Sequence, residues 1–258
     1  MKKILYSIVA IACLAGLFMT GCSALGFTVG SGSIVNKVYD FAGFNAVEVS
    51  NNFEYNIVQS SDYRVVVSTH DNIVSHLDVY QTGKTVHVGL NSGSYYNTDA
   101  KVEIGLPLLD SLVVSGATHG SVQAVQPAVD CQIKVSGASR LNVDLATGAA
   151  VVNVSGASKV TGKLNSQDTR ISVSGASTYE VSGSAAAVTA EISGASQMKT
   201  PEFAMASADV QLSGASRATV NTQGTLNLDV SGASTLNYLG NPVLSRVNVN
   251  GASHISAK

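Results

Sequence analysis

The tetrapeptide Ser-Gly-Ala-Ser, or a near copy, recurs along the chain with its glycine at Gly116, Gly137, Gly156, Gly175, Gly194, Gly214, Gly232 and Gly251. The intervals are 21, 19, 19, 19, 20, 18 and 19 residues. A unit of about 19 residues cannot bury an apolar face by itself, so successive units must stack. Apolar residues two apart precede each glycine: Ile133/Val135, Val152/Val154, Ile171/Val173, Ala190/Ile192, Val210/Leu212, Leu228/Val230 and Val247/Val249. A second alternating set follows it, as in Leu141/Val143, Tyr179/Val181, Ala218/Val220 and Leu236/Tyr238. Period-two alternation marks strands with one buried face. The glycine between them lets the backbone bend where a Cβ would clash. The pattern predicts an all-β parallel solenoid over residues 115–258, with rungs roughly 4.8 Å apart. Cys131 shares the parity of Ile133 and Val135, which predicts an inward, apolar role for it. Changes in repeat length fall between the second strand of one unit and the first of the next, as at Asn165-Ser166-Gln167-Asp168 and Pro201-Glu202-Phe203. These segments are read as loops of varying length, which makes that side the variable one.

Residues 36–114 hold no copy of the corner but remain strand-rich. Ala46–Val49, Tyr63–Val67, Thr85–Val88 and Lys101–Ile104 alternate, and Asn91–Ser94 reads as a loop. This half is expected to be an irregular β region that caps the regular rungs, because an open terminal rung exposes unpaired strand edge. The other end, just past the last corner, is left open to the N-terminal half, to a partner, or to nothing.

The beginning of the chain sets the compartment. Lys2 and Lys3 precede an apolar run from Ile4 to Met19, followed by Met19-Thr20-Gly21-Cys22. A basic start, an apolar stretch and small residues before a cut describe a secretory signal, here residues 1–21. Cysteine directly after Thr-Gly resembles a lipoprotein signal, which implies that Cys22 becomes the acylated first residue and ties the chain to a membrane. Residues 22–35, small and rich in Gly and Ser, suit a flexible tether. Ser23 is not the Asp that retains such proteins in the inner membrane. An outer-membrane lipoprotein of the cell envelope is expected, facing the periplasm or the surface. With Cys13 removed and Cys22 acylated, Cys131 has no partner for an intramolecular disulfide or a thiolate metal site.

Without Lys2 and Lys3 the chain carries 13 basic and 17 acidic residues, a net charge near −4. No basic run exists, so nucleic acid is not an expected partner. Charged residues make up 12% of the chain, against about 25% in ordinary domains. This suits stacked strands whose outer face is Ser, Thr and Asn.

Parallel solenoids often cleave polysaccharides, which needs two carboxylates about 5–10 Å apart. Glu191 and Asp229 fall in one outward column two rungs apart, roughly 10 Å, with Asp209 nearby. They form a weak acidic cluster, the alternative being a solvated polar ladder. The serines recur on every rung and read as structural, since a nucleophile is a single residue beside a base. Gly116-Ala117-Thr118-His119-Gly120 resembles a nucleophile elbow only with Thr for Ser and is rejected. His119 and His254 lie seven rungs apart, and His70 and His76 lack a clear third ligand, so neither metal nor cofactor is expected. The chain has no Trp, and Tyr179 and Tyr238 face inward by parity, so no aromatic platform for sugars is expected. The outward side after the corner is mildly basic, with Arg140, Lys159, Lys199 and Arg217 against Glu180. It is a possible face for an acidic glycan or a protein.

The Ser-Gly-Ala-Ser rungs, the strand-rich half before them and the lipoprotein-like start resemble the DUF2807 family, described as "putative auto-transporter adhesin, head GIN domain". The resemblance runs from about residue 40 to the end. It implies a right-handed parallel β-helix shaped like pectin lyases but without their catalytic residues. Nothing here resembles a translocator barrel, so the resemblance supports an adhesin-like role and no more. The reading is a non-catalytic envelope lipoprotein that binds or builds structure. Its alternatives are a carbohydrate-active lyase or hydrolase using Glu191, Asp209 and Asp229, and a structural protein that assembles into homo-oligomers through its bare edge.

Overall fold

A computed structural model of the chain describes residues 26–126 and 129–258. Strands take up 67% of the described residues and helix 3%, arranged as a β-solenoid of about eight turns, so the all-β reading holds. Residues 1–21 and Cys22 lie outside the described residues.

Each rung pairs in parallel with the next. Ile171 sits opposite Val152 and Ala190, then Val210, Leu228 and Val247 follow in the same column. The inward residues of the rungs up to Leu236 merge into one apolar cluster, in which Val173, Ala190, Val210, Leu228 and Val230 are fully buried. Cys131 and Tyr179 belong to it, each 1% exposed. At each corner the glycine has positive φ, from 70° at Gly116 to 77° at Gly175 and Gly232. The fourth residue of the corner turns inward. Ser158, Ser177 and Ser196 donate their hydroxyls to the carbonyls of Gly137, Gly156 and Gly175. The repeated serines therefore bind the rungs together.

Two expectations for the variable side and the tether need correction. Asn165–Asp168 and Pro201–Phe203 are not loops but parts of the continuous strands Lys159–Val173 and Gln197–Leu212. The extra residues are absorbed as register shifts between Lys199 and Ala204, and Phe203 is buried. The chain bends without leaving the hydrogen-bond ladder. The tether expected over 22–35 ends sooner, since Phe27–Val29 pairs with Ser94–Tyr96 and Ile34–Tyr39 with Arg64–His70.

The strand-rich half also contains parallel rungs, stacked out of chain order. Ala46–Val49 lies between Thr85–Leu90 and Ser111–Val114. Glu54–Gln59 lies likewise between Lys101–Leu106 and His119–Gln126. Its corner is Ser50-Asn51-Asn52, where both asparagines have φ of 63°. Asn tolerates this left-handed region better than other side chains, so it takes the glycine's place. Beyond Thr85–Leu90 and Lys101–Leu106 the pairing turns antiparallel. Leu77–Thr82 lies on Thr85–Leu90, Arg64–His70 on Lys101–Leu106, and Ile34–Tyr39 on Arg64–His70. At the opposite end, Val243–Val249 and His254–Ala257 form the last rung. Val243, Leu244, Val247 and Val249 are all exposed there.

Candidate functional site

Straight ladders offer little concavity, so hollows arise where the ladder is broken. The larger hollow lies after the corner, about 500 Å³, lined by Lys159, Gly162, Glu180, Lys199, Pro201 and Glu202 among others. Two features create it. Gly162 stands at an inward position with φ of 120°, and a Cβ there would lie 2.0 Å from the Val143 carbonyl oxygen. Only glycine lets the strand bend this close to its neighbour. The register shift after Lys199 leaves Pro201 and Glu202 as an exposed lip.

The four cations expected to share this face do not form one basic patch. Arg140 and Lys159 are register neighbours, whereas Arg217 stands three rungs beyond Lys159, past Thr178 and Gln197, roughly 14 Å. Lys199 belongs to the next column, opposite Glu180. Lys159 Nζ lies 3.2 Å from Glu180 Oε2, with both side chains 47% exposed. Such a surface pair contributes little stability but places a carboxylate between two ammonium groups. With Glu202 at the lip, the hollow carries two positive and two negative side chains. It is a polar, charge-alternating groove. The glycines away from the corners, at inward parity in Val160-Thr161-Gly162 and Val181-Ser182-Gly183, were the sequence signal for it. The change of repeat length at Pro201-Glu202-Phe203 was the signal for the lip.

Before the corner, Glu191 and Asp229 line a smaller cleft of about 260 Å³ with Ser172, Gln211 and three corner serines. Gln211 is in register with both carboxylates and stands between them. Asp209 takes no part in this cleft. Its Oδ2 accepts a 2.9 Å bond from Arg246 Nη2. A general acid is usually made by enclosing one carboxyl among apolar side chains, and Glu191 stands exposed. The acidic cluster is thus a pair divided by an amide, with the third carboxylate held by an arginine.

Thr118, within the elbow-like stretch, is fully buried and bonds the carbonyl of Ser115. Gly120 gives its side-chain space to Tyr55, whose ring carbon would lie 2.6 Å from a Cβ there. His70 meets Asp99 at 3.2 Å, while His76 packs on Tyr95 with ring centroids 5.5 Å apart. Among the described residues no group of three metal-ligating side chains converges, and no helix is long and apolar enough to cross a membrane.

Comparison with known proteins agrees with this architecture. The model of the family described as "Putative auto-transporter adhesin, head GIN domain", DUF2807, matches residues 43–242. A solved structure of a "putative adhesin" from Parabacteroides merdae is 16% identical, with a TM-score of 0.82 over 90% of this chain and 99% of that one. A "putative adhesin" from Parabacteroides distasonis is 18% identical, with a TM-score of 0.83 over 90% of this chain and all of that one. A "putative lipid binding protein" from Parabacteroides distasonis is 17% identical, with the same score and coverage. At these identities the likeness is one of fold. No curated protein matches the chain.

Proposed function

From the premise that this chain belongs to the DUF2807 family, we propose that it is a non-catalytic, adhesin-like binding module of the cell envelope. Acyl chains on Cys22 hold it to the outer membrane. The ligand is a polar chain bearing charge, such as an acidic glycan or an extended protein segment, and it lies in the groove between Lys159 and Lys199.

The groove itself carries this reading. It is open, lies along a rigid ladder, and presents ammonium and carboxylate groups in alternation. Such a surface recognises a repeating polar chain without needing a reacting group. The backbone that carries these groups is already ordered by the ladder, so binding requires no ordering of the chain beneath them. The family description, with its adhesive role, supports the same direction.

The test uses the chain from Ser23 onward, which contains every described strand, passed over immobilised acidic and neutral polysaccharides. Retention on an acidic polymer should fall several-fold in the Lys159→Ala/Lys199→Ala double variant and stay unchanged in Arg217→Ala. Equal retention of both variants would remove the groove from the reading. For the anchor, Cys22→Ser should move the full chain out of the membrane fraction.

One observation favours a second reading, assembly of copies through the last rung. Val243, Leu244, Val247 and Val249 are between 41% and 69% exposed there. Apolar side chains beside unpaired backbone groups make a template for strand addition.

A further inference from the structure

Phe27–Val29 and Ser94–Tyr96 form a two-stranded parallel sheet apart from the solenoid, with Phe27 opposite Ser94 and Val29 opposite Tyr96. Register partners share a face, and neighbours along a strand alternate. Thr28 and Tyr95 therefore face one way, and Phe27, Val29 and Tyr96 the other, together with Ser94. Tyr95 faces the body, packing on the core and on the His76 ring. The outward face is thus the apolar one. Phe27 is 63% exposed, Tyr96 61% and Val29 42%. The Phe27 and Tyr96 rings meet edge to face, with centroids 5.5 Å apart.

This inverts the usual pattern, in which a half-solvated sheet turns its polar side to water. The sheet is also firmly attached. Asn72 accepts from the Ser31 amide at 2.9 Å and donates to the Val29 carbonyl at 2.8 Å. The Gly30 amide donates to the Tyr96 carbonyl at 2.9 Å. The aromatic pair is therefore held in place with its rings toward solvent.

Chain length points to what covers it. Cys22 and Phe27 are five residues apart, a reach of at most about 18 Å even when fully extended. If Cys22 carries acyl chains, the aromatic face cannot leave the neighbourhood of the bilayer. A tyrosine ring, apolar with a polar tip, sits at the headgroup level of a membrane, and an apolar face with phenylalanine buries at the boundary of headgroups and acyl chains. We propose that Phe27, Val29 and Tyr96 form a foot that seats in the headgroup region of the bilayer anchoring Cys22. The solenoid then stands in a fixed orientation instead of swinging on a tether. This inference rests on the acylation of Cys22 put forward above.

The chain contains no Trp, so Phe27→Trp introduces a single reporter at the foot, and Leu244→Trp one on the last rung. Each full chain is produced in a bacterium that acylates such cysteines. It is then reconstituted into phosphatidylethanolamine/phosphatidylglycerol vesicles containing lipids brominated near the headgroup. The Phe27→Trp chain should lose a large part of its emission, as a ring at the interface would, while the Leu244→Trp chain keeps its own. Flotation with vesicles and an acylated mass, but no quenching at position 27, would overturn the foot and leave the anchor standing. A chain that neither floats nor carries acyl mass would overturn both. Shielded but unquenched emission at position 27 in a protein that scatters light as a dimer would overturn the foot in favour of a second copy.

Discussion

The carbonyl oxygen of Gly156 lies 2.5 Å from the point where a Cβ on Gly175 would sit. The same closeness recurs down the column of corner glycines, at 2.3 Å for Gly156 over Gly137 and 2.6 Å for Gly194 over Gly175. The amide of Ala176 reaches the Gly156 carbonyl at 2.8 Å for the same reason. Each corner is thus seated on the backbone of the one before it, and a side chain would separate them.

Gly175→Ala should therefore cost about 2–4 kcal/mol, combining a left-handed backbone with a steric clash. Gly83 also has positive φ, but nothing lies within 4 Å of a Cβ placed there. Gly83→Asn should change stability by no more than about 0.5 kcal/mol. Urea unfolding of both variants separates strain from stacking.

Tyr179 and Tyr55 should respond in opposite directions to loss of the hydroxyl. The Tyr179 hydroxyl is buried without a hydrogen-bond partner among the described residues, whereas that of Tyr55 donates to the Arg140 carbonyl at 3.3 Å. Removing an unsatisfied buried polar group relieves a desolvation cost. Tyr179→Phe should raise stability by about 1 kcal/mol, and Tyr55→Phe should lower it by up to about 1 kcal/mol.

Alkaline pH should weaken the fold. Burial, assisted by the charge of Asp110, pushes the Cys131 thiol from 9.0 up to about 12, and burial also raises the phenols of Tyr55 and Tyr179. Above pH 9 the unfolded chain releases the thiol proton that the folded chain retains. Stability is then lost as pH rises from about 9 toward 12, by about 1.4 kcal/mol for each pH unit between the two values. Below pH 9 this group contributes no slope. Thermal unfolding at a series of pH values checks this, and a thiol reagent should label Cys131 only after unfolding.

The last rung offers a further check. If its exposed valines bring copies together, light scattering should show association that grows with concentration and falls away in Val247→Lys. A charge on an exposed strand edge is a common guard against pairing. A single mass at all concentrations would remove assembly from the possible roles.

Much of the solenoid could be read from residue parity. The inward places of Cys131 and Tyr179 and the corner column from Gly116 to Gly251 follow from a period of two interrupted by glycine. The rung Ala46–Gln59 escaped notice because stacking order need not follow chain order. Its strands find their partners across Thr85–Leu106 and Ser111–Gln126, and Asn51 replaces the marker glycine. Site geometry was less legible. Arg140, Lys159, Lys199 and Arg217 share a side by parity, but column and rung decide which of them meet, and Glu180 divides Lys159 from Lys199. Likewise Glu191 and Asp229 do share a cleft, while Arg246, distant in sequence, draws Asp209 away. Phe27 and Val29 lay hidden within a stretch whose small residues suggested only a tether.

The most direct test of a binding role without chemistry is to count polysaccharide chain ends. The chain from Ser23 onward is incubated with acidic and neutral polymers, and both bound protein and newly released reducing or unsaturated ends are measured. Retention on a polymer with no new ends is the expected result. New ends that appear with the unaltered chain and vanish in Glu191→Gln or Asp229→Asn would contradict it and make the divided carboxylate pair a catalytic site.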